Sequence, residues 1–579
     1  MTREMLITDS TMRTARVEDG HLKLTLPNGE VVDFGVVVGE TVTDAGIAAQ
    51  IANPASQTAT QLSATIAAQT ERSTAQLDID ADVARVAAKF APRGAGISLR
   101  RVGTTYSLRR AIGGGRYWRC DLPLISSAPG GFALHQIRDQ MVELAAESVV
   151  FGDGSVASSG TWVTTTQAAA YGGQYTQASA AGAYKEHATP AGTTVVGMRT
   201  CDLSNAGLAV VTIDGDKTAA TLLPTAQELV DMGLYPNTIL VANGGTLEPT
   251  DRVYEGRQSN ATVWDKVALF ASDLTPGVHQ VRVAVTGYFH TGDYPGLTGS
   301  TSSGARVYIT GFVHGDDTMR EGDAGVSLLP VANLMDTGSA WEYATNLKPE
   351  GAASSQFVGN IHGYEIEDSL AFFIDGAPVT PADATSTPAD REAKIVRTSH
   401  LRHPETGSAV IADVVTTYTM DRRGLLVEAA TSWRVNASVI AAYVMMPLNG
   451  ATKVTGVPFT HGSLSGWAGG PIDLTALPDG YYGQSESSCA WVWDGTARGV
   501  YGAAIWVPDA LRYTRGYATQ EFLPNIQARP SSGPMTKVYI PRAYTTAPEN
   551  VTPETVWEQA ARYAVAYLPE GAHNSLSAF

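Results

Sequence analysis

The sequence predicts a mainly β protein: an N-terminal β-hairpin module and a short helical stalk, followed by tandem, jelly-roll-like β-sandwich domains. Three observations carry this. Apolar and polar residues alternate in runs such as GVHQVRVAVTG and GLLVEAATSWRV, and a period of two turns one face of a strand toward a core. Turn signals separate the runs, among them Gly113-Gly114-Gly115, Asp214-Gly215 and Pro276-Gly277. Only 17% of the residues are charged while 58 are Gly, the balance of turn-rich sheet rather than of a helical enzyme.

At about 100 to 200 residues per domain, 579 residues allow three or four domains. The formal charge of -17, from 40 basic against 57 acidic residues, argues against nucleic acid as a partner, because phosphate neutralisation requires clustered Lys and Arg. No apolar run approaches the roughly 18 residues that span a bilayer, and Met1 to Ser10 has no apolar core of a signal peptide. Membrane insertion is therefore not expected, and the chain reads as one made in a cytoplasm that functions elsewhere after lysis. Cys120, Cys201 and Cys489 are odd in number and far apart, which implies neither a disulfide framework nor a metal-binding pair.

Residues 1–40 hold a hairpin, HLKLTL and VVDFGVVV about Pro27-Asn28-Gly29. Residues 41–90 read as helical. Thr43 or Asp44 caps a brief helix, and Asn53 caps a second with Pro54 at its first position. Ala59, Leu62 and Ile66 form one narrow seam, too thin for a lone helix in water, so it needs partner copies or a docking surface on its own domain, and three copies about an axis are the favoured expectation. Residues 91–155 form a small β-rich domain with one helix, about Leu134 to Glu147, whose Ile137, Met141, Leu144 and Ala145 share a face. Residues 156–320 carry the strand series of a sandwich, with a short helix from Pro224 to Leu234. Residues 321–579 have longer strands and a terminal helix from Thr552-Pro553-Glu554, with Val556, Ala560, Tyr563 and Tyr567 on one face.

Three resemblances add to this reading. The hairpin followed by VTDAGIAAQIANPASQTATQLSATI looks like the opening of minor tail proteins of phages infecting actinobacteria, over about the first 90 residues. The run AGAYKEHATPAGTTVVGMRTCDLSNAGLAVVTIDGDKT, with LTPGVHQVRVAVTG and RVYITGF, is similar to galactose-binding-like jelly rolls. Ile213-Asp214-Gly215 matches their turn after one strand, and Gly277-Val278-His279 their later strand opening. The C-terminal module resembles the large sandwiches of polysaccharide lyases and sugar mutarotases. Together they imply a tail fibre or receptor-binding protein directed at cell-wall glycan, attached to other virion tail proteins through its N-terminal module.

Sugar binding needs flat apolar faces beside planar polar groups. Tyr288, Phe289, His290, Asp293 and Tyr294 form one such cluster; Trp467, Asp479, Tyr481, Tyr482 and Gln484 form another. Each also reads as a loop folded over its own core. His362, Tyr364 and Glu365 are the catalytic candidates, a His, a Tyr and a carboxylate suited to eliminative glycan cleavage with His461 or Arg397 as partner. Residues that alternate along a strand do not all face one way, so a hydrogen-bonded structural histidine is preferred there. Asp214-Gly215-Asp216 and His314-Gly315-Asp316-Asp317 lack the spacing of a calcium loop, and His400 and His403 lack further zinc ligands. No metal or cofactor is expected. The expectation is thus a trimeric, non-enzymatic, glycan-binding phage tail protein. A glycan depolymerase on the same scaffold is the alternative, and a purely structural tail component the third reading.

Overall fold

The computed structural model describes residues 3–5, 14–18, 21–25, 31–36, 96–125, 133–256, 262–290, 304–316, 318–334, 344–359, 362–449, 459–464, 472–483, 489–494, 500–506, 525–528, 537–543 and 548–568. The chain forms two compact units, Met1–Lys89 and Phe90–Phe579. In the first, Arg3–Met5, Thr14–Glu18, His21–Thr25 and Val31–Val36 pair antiparallel in chain order. The expected hairpin is the last pair, with Thr25 opposite Val31 across Pro27-Asn28-Gly29. The helices expected over residues 41–90, the stalk included, lie outside the described residues.

The second unit is built on a long sheet. Ile97–Val102, Thr105–Gly113, Arg116–Ile125 and Asp139–Val150 run side by side, and the sheet continues through Gly311–Gly315, Val195–Asp202 and Val263–Ala271. Ser386–Ala389 pairs with the opposite edge, and Ser327–Asn333 with Asp139–Val150. One sheet therefore draws strands from segments 91–155, 156–320 and 321–579.

The helix expected from Leu134 to Glu147 is instead two strands, Leu134–His135 and Asp139–Val150. Gln140, Val142, Leu144 and Ala146 point one way along the strand, Met141, Glu143 and Ala145 the other. Both faces are covered, since Val142, Leu144, Ala145 and Ala146 are all fully buried. Such a strand loses its apolar–polar alternation, and its spacing then mimics a helical face.

Val156–Ser159, Tyr184–Ala188, Gln280–Phe289, Gly207–Ile213 and Val253–Glu255 form a five-stranded sheet in that order. It makes a sandwich with the Val195–Asp202, Val263–Ala271 and Gly311–Gly315 end of the long sheet, where Val196, Met198, Phe270 and Phe312 meet Ala209, Val211, Val281 and Val283. Each fully buried Val or Phe contributes about 1.5–3 kcal/mol. The helix expected between Pro224 and Leu234 covers Ala226–Asp231, with Thr225 and Glu228 in a reciprocal capping box. It packs Ala226 and Leu229 on Leu208, Val210 and Val253, the outer face of the five-stranded sheet. The two quoted turn motifs meet. Asp214, at φ 55°, accepts from the Gln280 N–H at 2.8 Å and lies 2.8 Å from His279 Nδ1. Burial alone would raise the Asp214 pKa, but these hydrogen bonds hold it below the usual carboxylate range.

The C-terminal ten-stranded sheet runs Ala377–Val379, Glu365–Ile374, Glu392–Leu401, Ala412–Asp421, Gly424–Trp433, Val556–Leu568, Val500–Trp506, Cys489–Trp493, His461–Leu464, Ile472–Asp473. One end of its inner face packs Val414, Trp433 and Trp557 on Leu347, Val439 and Val551 of a seven-stranded sheet. The other packs Tyr418, Val427 and Tyr563 on Leu99, Leu108 and Trp118 of the long sheet. The expected terminal helix is the strand Val556–Leu568, paired on both sides. Trp557, Ala561, Tyr563, Val565 and Tyr567 are buried at odd positions while Val556 is 56% exposed, a period of two. Tyr563 and Tyr567 fit either period, so spacing alone favoured the wrong element. At the strand's end the Tyr567 hydroxyl donates to Asp273 Oδ2 at 2.7 Å and lies 2.7 Å from Ser272 Oγ, while the Arg116 guanidinium sits 3.7 Å from the ring. This knot ties the central sandwich to the C-terminal sheet.

His187 and His314 stack inside the central sandwich with ring centroids 5.7 Å apart. Burial lowers the pKa of both; each is opposed by a carboxylate, Asp153 for His187 and Glu147 for His314. The unfolded chain therefore binds protons that the folded chain resists, and stability is full above the ordinary His pKa of about 6.5 and falls as pH drops below it. Urea midpoints measured from pH 7.5 to pH 5 should decline, and the decline should shrink in a His187→Gln, His314→Gln double variant.

Candidate functional site

The first expected cluster folds inward. The Tyr288 hydroxyl accepts from the Thr246 N–H at 3.1 Å. His290 is fully buried, and its ring meets Tyr235 edge-on at 5.7 Å. Tyr235 in turn donates to Glu255. Phe289 is 47% exposed, and Asp293 and Tyr294 lie outside the described residues.

The second cluster sits on Gly480–Gly483, the edge strand of the seven-stranded sheet. Tyr481 is 55% exposed and Asp479 is also exposed. The Tyr482 hydroxyl donates to the Pro478 carbonyl at 2.7 Å, which holds its ring against its own loop. Trp467 and Gln484 lie outside the described residues.

The catalytic candidates are divided between separate packing tasks. The His362 ring stacks on Phe357 with centroids 4.8 Å apart. Tyr364 adopts φ 60°, a turn that breaks the alternation of the approaching strand. Glu365 has no exposed surface; it accepts from Ser399 Oγ at 2.7 Å and lies 3.5 Å from Arg397. Arg397, also without exposed surface, donates to the His135 carbonyl and to Thr416 Oγ1 at 3.2 Å. Of the suggested partners, Arg397 thus joins Glu365 in the core, while His461 stacks on Trp493 at 6.0 Å.

Sequence reasoning missed a groove of about 240 Å³ between the Val263–Ala271 and Ser327–Asn333 strands. Arg199 stands at its wall. Its guanidinium grips Asp265 with two hydrogen bonds, 2.9 Å to Oδ1 and 2.7 Å to Oδ2, and donates to Ser148 Oγ at 3.2 Å. The Tyr171 ring lies 3.8 Å beneath it. Bidentate pairing and stacking fix the plane of an arginine that would otherwise sample many rotamers. Asn333 adds an amide, and Val267, Pro330, Val331 and Ala332 supply aliphatic surface. Lys266 borders the groove but alternates with Asp265 and Val267, so its ammonium turns to the other face of the strand, 3.7 Å from Asp202 Oδ2. Burial lowers the Lys266 pKa, against the opposing charges of Asp202 and Glu255. Arg199 and Asp265 neutralise each other, so the groove suits a neutral, hydroxyl-rich ligand over an apolar floor. The site is assembled from strands far apart in the chain, and its only local sign was an Asp-Lys pair in a strand otherwise reading as half-buried.

Among the described residues no group of three or more His, Cys, Asp or Glu side chains is placed to hold a metal ion, and no helix is long and apolar enough to cross a membrane. Among the described residues Cys120, Cys201 and Cys489 form no disulfide; the first two are buried and the third is half-buried.

No protein-family model and no curated protein matches the chain. Solved structures do. A galactose mutarotase-like protein from Lactobacillus casei ATCC 334 is 11% identical over 31% of this chain and 78% of its own, with a TM-score of 0.21. The galactosidase domain of the alpha-galactosidase-sucrose kinase AgaSK is 11% identical over 44% of this chain and 33% of its own, at 0.25. The GH36 alpha-galactosidase AgaA from Geobacillus stearothermophilus is 10% identical over 39% and 30%, at 0.24. The chain thus spans about a third of the length of the two galactosidase structures.

Arg397→Met leaves the Glu365 carboxylate buried without its cation, and removing one partner of a buried pair costs about 3–5 kcal/mol. Urea unfolding should show that loss, and Glu365→Gln in the same chain should restore part of it. Equal midpoints for the single variant and the parent would contradict the pairing.

Proposed function

We propose that the chain is a phage tail fibre or minor tail protein that binds a host cell-surface glycan during adsorption, with the Arg199 groove as its saccharide contact. The groove is the observation that carries the reading. Its guanidinium is held in place before any ligand arrives, and such pre-organisation reduces the ordering lost on binding. Planar donors and acceptors above an aliphatic floor match the two surfaces of a sugar ring, hydroxyls outward and C–H groups beneath. At about 240 Å³, the groove falls below the roughly 300–1,000 Å³ of ordinary ligand pockets and suits one ring or the end of a chain.

Virion attachment through the N-terminal unit, and a homotrimer formed by residues 41–90, rest on the resemblance of the first 90 residues to minor tail proteins. A shallow, single-ring site binds weakly by itself. Three linked copies raise the effective concentration at a surface carrying many copies of the same sugar. The exposed Tyr481 edge offers a further flat apolar face. Depolymerase chemistry finds less support: the carboxylate of the catalytic candidates, Glu365, is engaged by Arg397, and Glu143, another buried acid, lies 2.8 Å from Arg109.

Binding of the full-length protein to host cell-wall polysaccharide should fall about tenfold or more in Arg199→Ala, the loss of a charged hydrogen bond being worth about 1.5–3 kcal/mol. The same incubation should release neither new reducing ends nor unsaturated uronates. Undiminished binding by the variant would move the site elsewhere, and product release would replace a binding protein with an enzyme. Sedimentation of the full-length chain should give three times the monomer mass; a monomer would remove the stalk from the proposal.

A further inference from the structure

The two charges at the wall of the Arg199 groove are not equally open to a ligand. Asp265 and Val267 alternate with Lys266 and stand on the groove side of the Val263–Ala271 strand. Arg199 lies opposite Val267 in the register and reaches diagonally along the sheet to Asp265. Its guanidinium is drawn inward: Tyr171 lies beneath it, Nη1 donates to Ser148 Oγ, and Nε and Nη2 are spent on the two oxygens of Asp265. The Arg199 side chain is 11% exposed and that of Asp265 36%. The outward end of the pair is therefore the carboxylate. Each of its oxygens takes one N–H from Arg199, and a carboxylate offers about four acceptor sites in all, so both oxygens keep room for a further donor.

Resting on the saccharide reading of this groove, we propose that Asp265 is its specificity-determining residue. Its two oxygens accept from two adjacent hydroxyls of a neutral sugar ring, and Arg199 is a positioning residue that fixes the carboxylate plane. Hydroxyls on neighbouring ring carbons lie side by side, as the carboxylate oxygens do, and pair with them in parallel in the way an arginine fork pairs with a carboxylate. An acceptor-only group selects donors, and hydrogen bonds to an ionised acceptor are stronger than neutral ones. The same charge works against an acidic sugar. A uronate or phosphate entering the groove meets Asp265 before Arg199, whose charge is already matched, and like charges brought together across an interface penalise that partner. Lys266 does not offset this, because its ammonium lies on the other face of the strand beside Asp202. The ligand class is thus a neutral polysaccharide with free vicinal hydroxyls, and acidic cell-wall polymers are excluded.

The test uses the full-length protein and host cell-wall polysaccharide separated on an anion exchanger into a neutral fraction and a retained, acidic one. The parent should bind the neutral fraction about tenfold or more tightly than the acidic one. That binding should be lost once periodate has broken the bonds between adjacent hydroxyl-bearing carbons and borohydride has reduced the products. Asp265→Asn keeps the shape and removes the charge; it should weaken neutral binding about tenfold and shrink the preference over the acidic fraction, which a general loss of folded protein would not do. Arg199→Ala should weaken neutral binding while keeping the preference, since Asp265 retains its charge. Tighter binding of the acidic fraction that disappears in Arg199→Ala would overturn the role given to Asp265 and leave the groove as the saccharide site. Binding that survives both substitutions would remove the groove itself, and this inference with it. An undiminished preference in Asp265→Asn, or neutral binding that survives periodate, also overturns the inference. Where a variant does not fold, the parent's behaviour toward the two fractions and the oxidised polymer decides.

Discussion

The architecture depends on a single strand having both of its faces claimed. Asp139–Val150 lies between Arg116–Ile125 on one side and Ser327–Asn333 and Gly311–Gly315 on the other. It is therefore where the central sandwich and the C-terminal sheets become one hydrogen-bonded body. Its Glu143 lies 2.8 Å from Arg109 and is bonded by Arg119, and Arg109 reaches Glu321 at 2.9 Å. Arg109 and Glu143 are nearly enclosed, and their pairing gives register as much as stability. A shift of one residue would bring Val142 or Leu144 opposite the arginines and leave Glu143 in an apolar layer, a double penalty that disfavours every neighbouring alignment.

That strand also shows why the sequence was legible in some places and opaque in others. Where one face meets solvent, as in Gly424–Trp433 or Gln280–Phe289, alternation is visible and the strands were anticipated. Where both faces are covered, or where aromatic spacing satisfies two periods at once, as for Tyr563 and Tyr567, local pattern has no unique solution and tertiary context decides. The short helix at Ala226–Asp231 was readable because its capping box is local chemistry. The Asp214–His279 contact was foreshadowed by two quoted motifs, although nothing in the sequence said that they would touch.

The site was harder to read than the fold for the same reason. Aromatic clusters along the chain directed attention to Tyr288, His290, Tyr481 and Tyr482, and of these Tyr288, His290 and Tyr482 spend their polar or ring surfaces on internal contacts. The groove draws on Arg199, Asp265 and Asn333, three residues unremarkable in their own segments. What distinguishes Arg199 is the company it keeps: a carboxylate and a hydroxyl from two separate strands and a tyrosine ring from the short turn Tyr171–Gly173 converge on it. Convergence of that kind is a property of pairing order, which composition and periodicity do not encode.

The Tyr567 knot has a mechanical meaning. Asp273 and Ser272 follow the Val263–Ala271 strand of the central sandwich, Arg116 comes from the long sheet, and Tyr567 closes the C-terminal strand; all meet within a few ångströms. Bending at this point would have to lift a cation from an aromatic face and strip a buried hydroxyl of its carboxylate together. Such a joint transmits torque instead of absorbing it. Force applied to one lobe arrives at the other undamped, so a tug on the far sheet is felt at the sandwich as tension and not as slack.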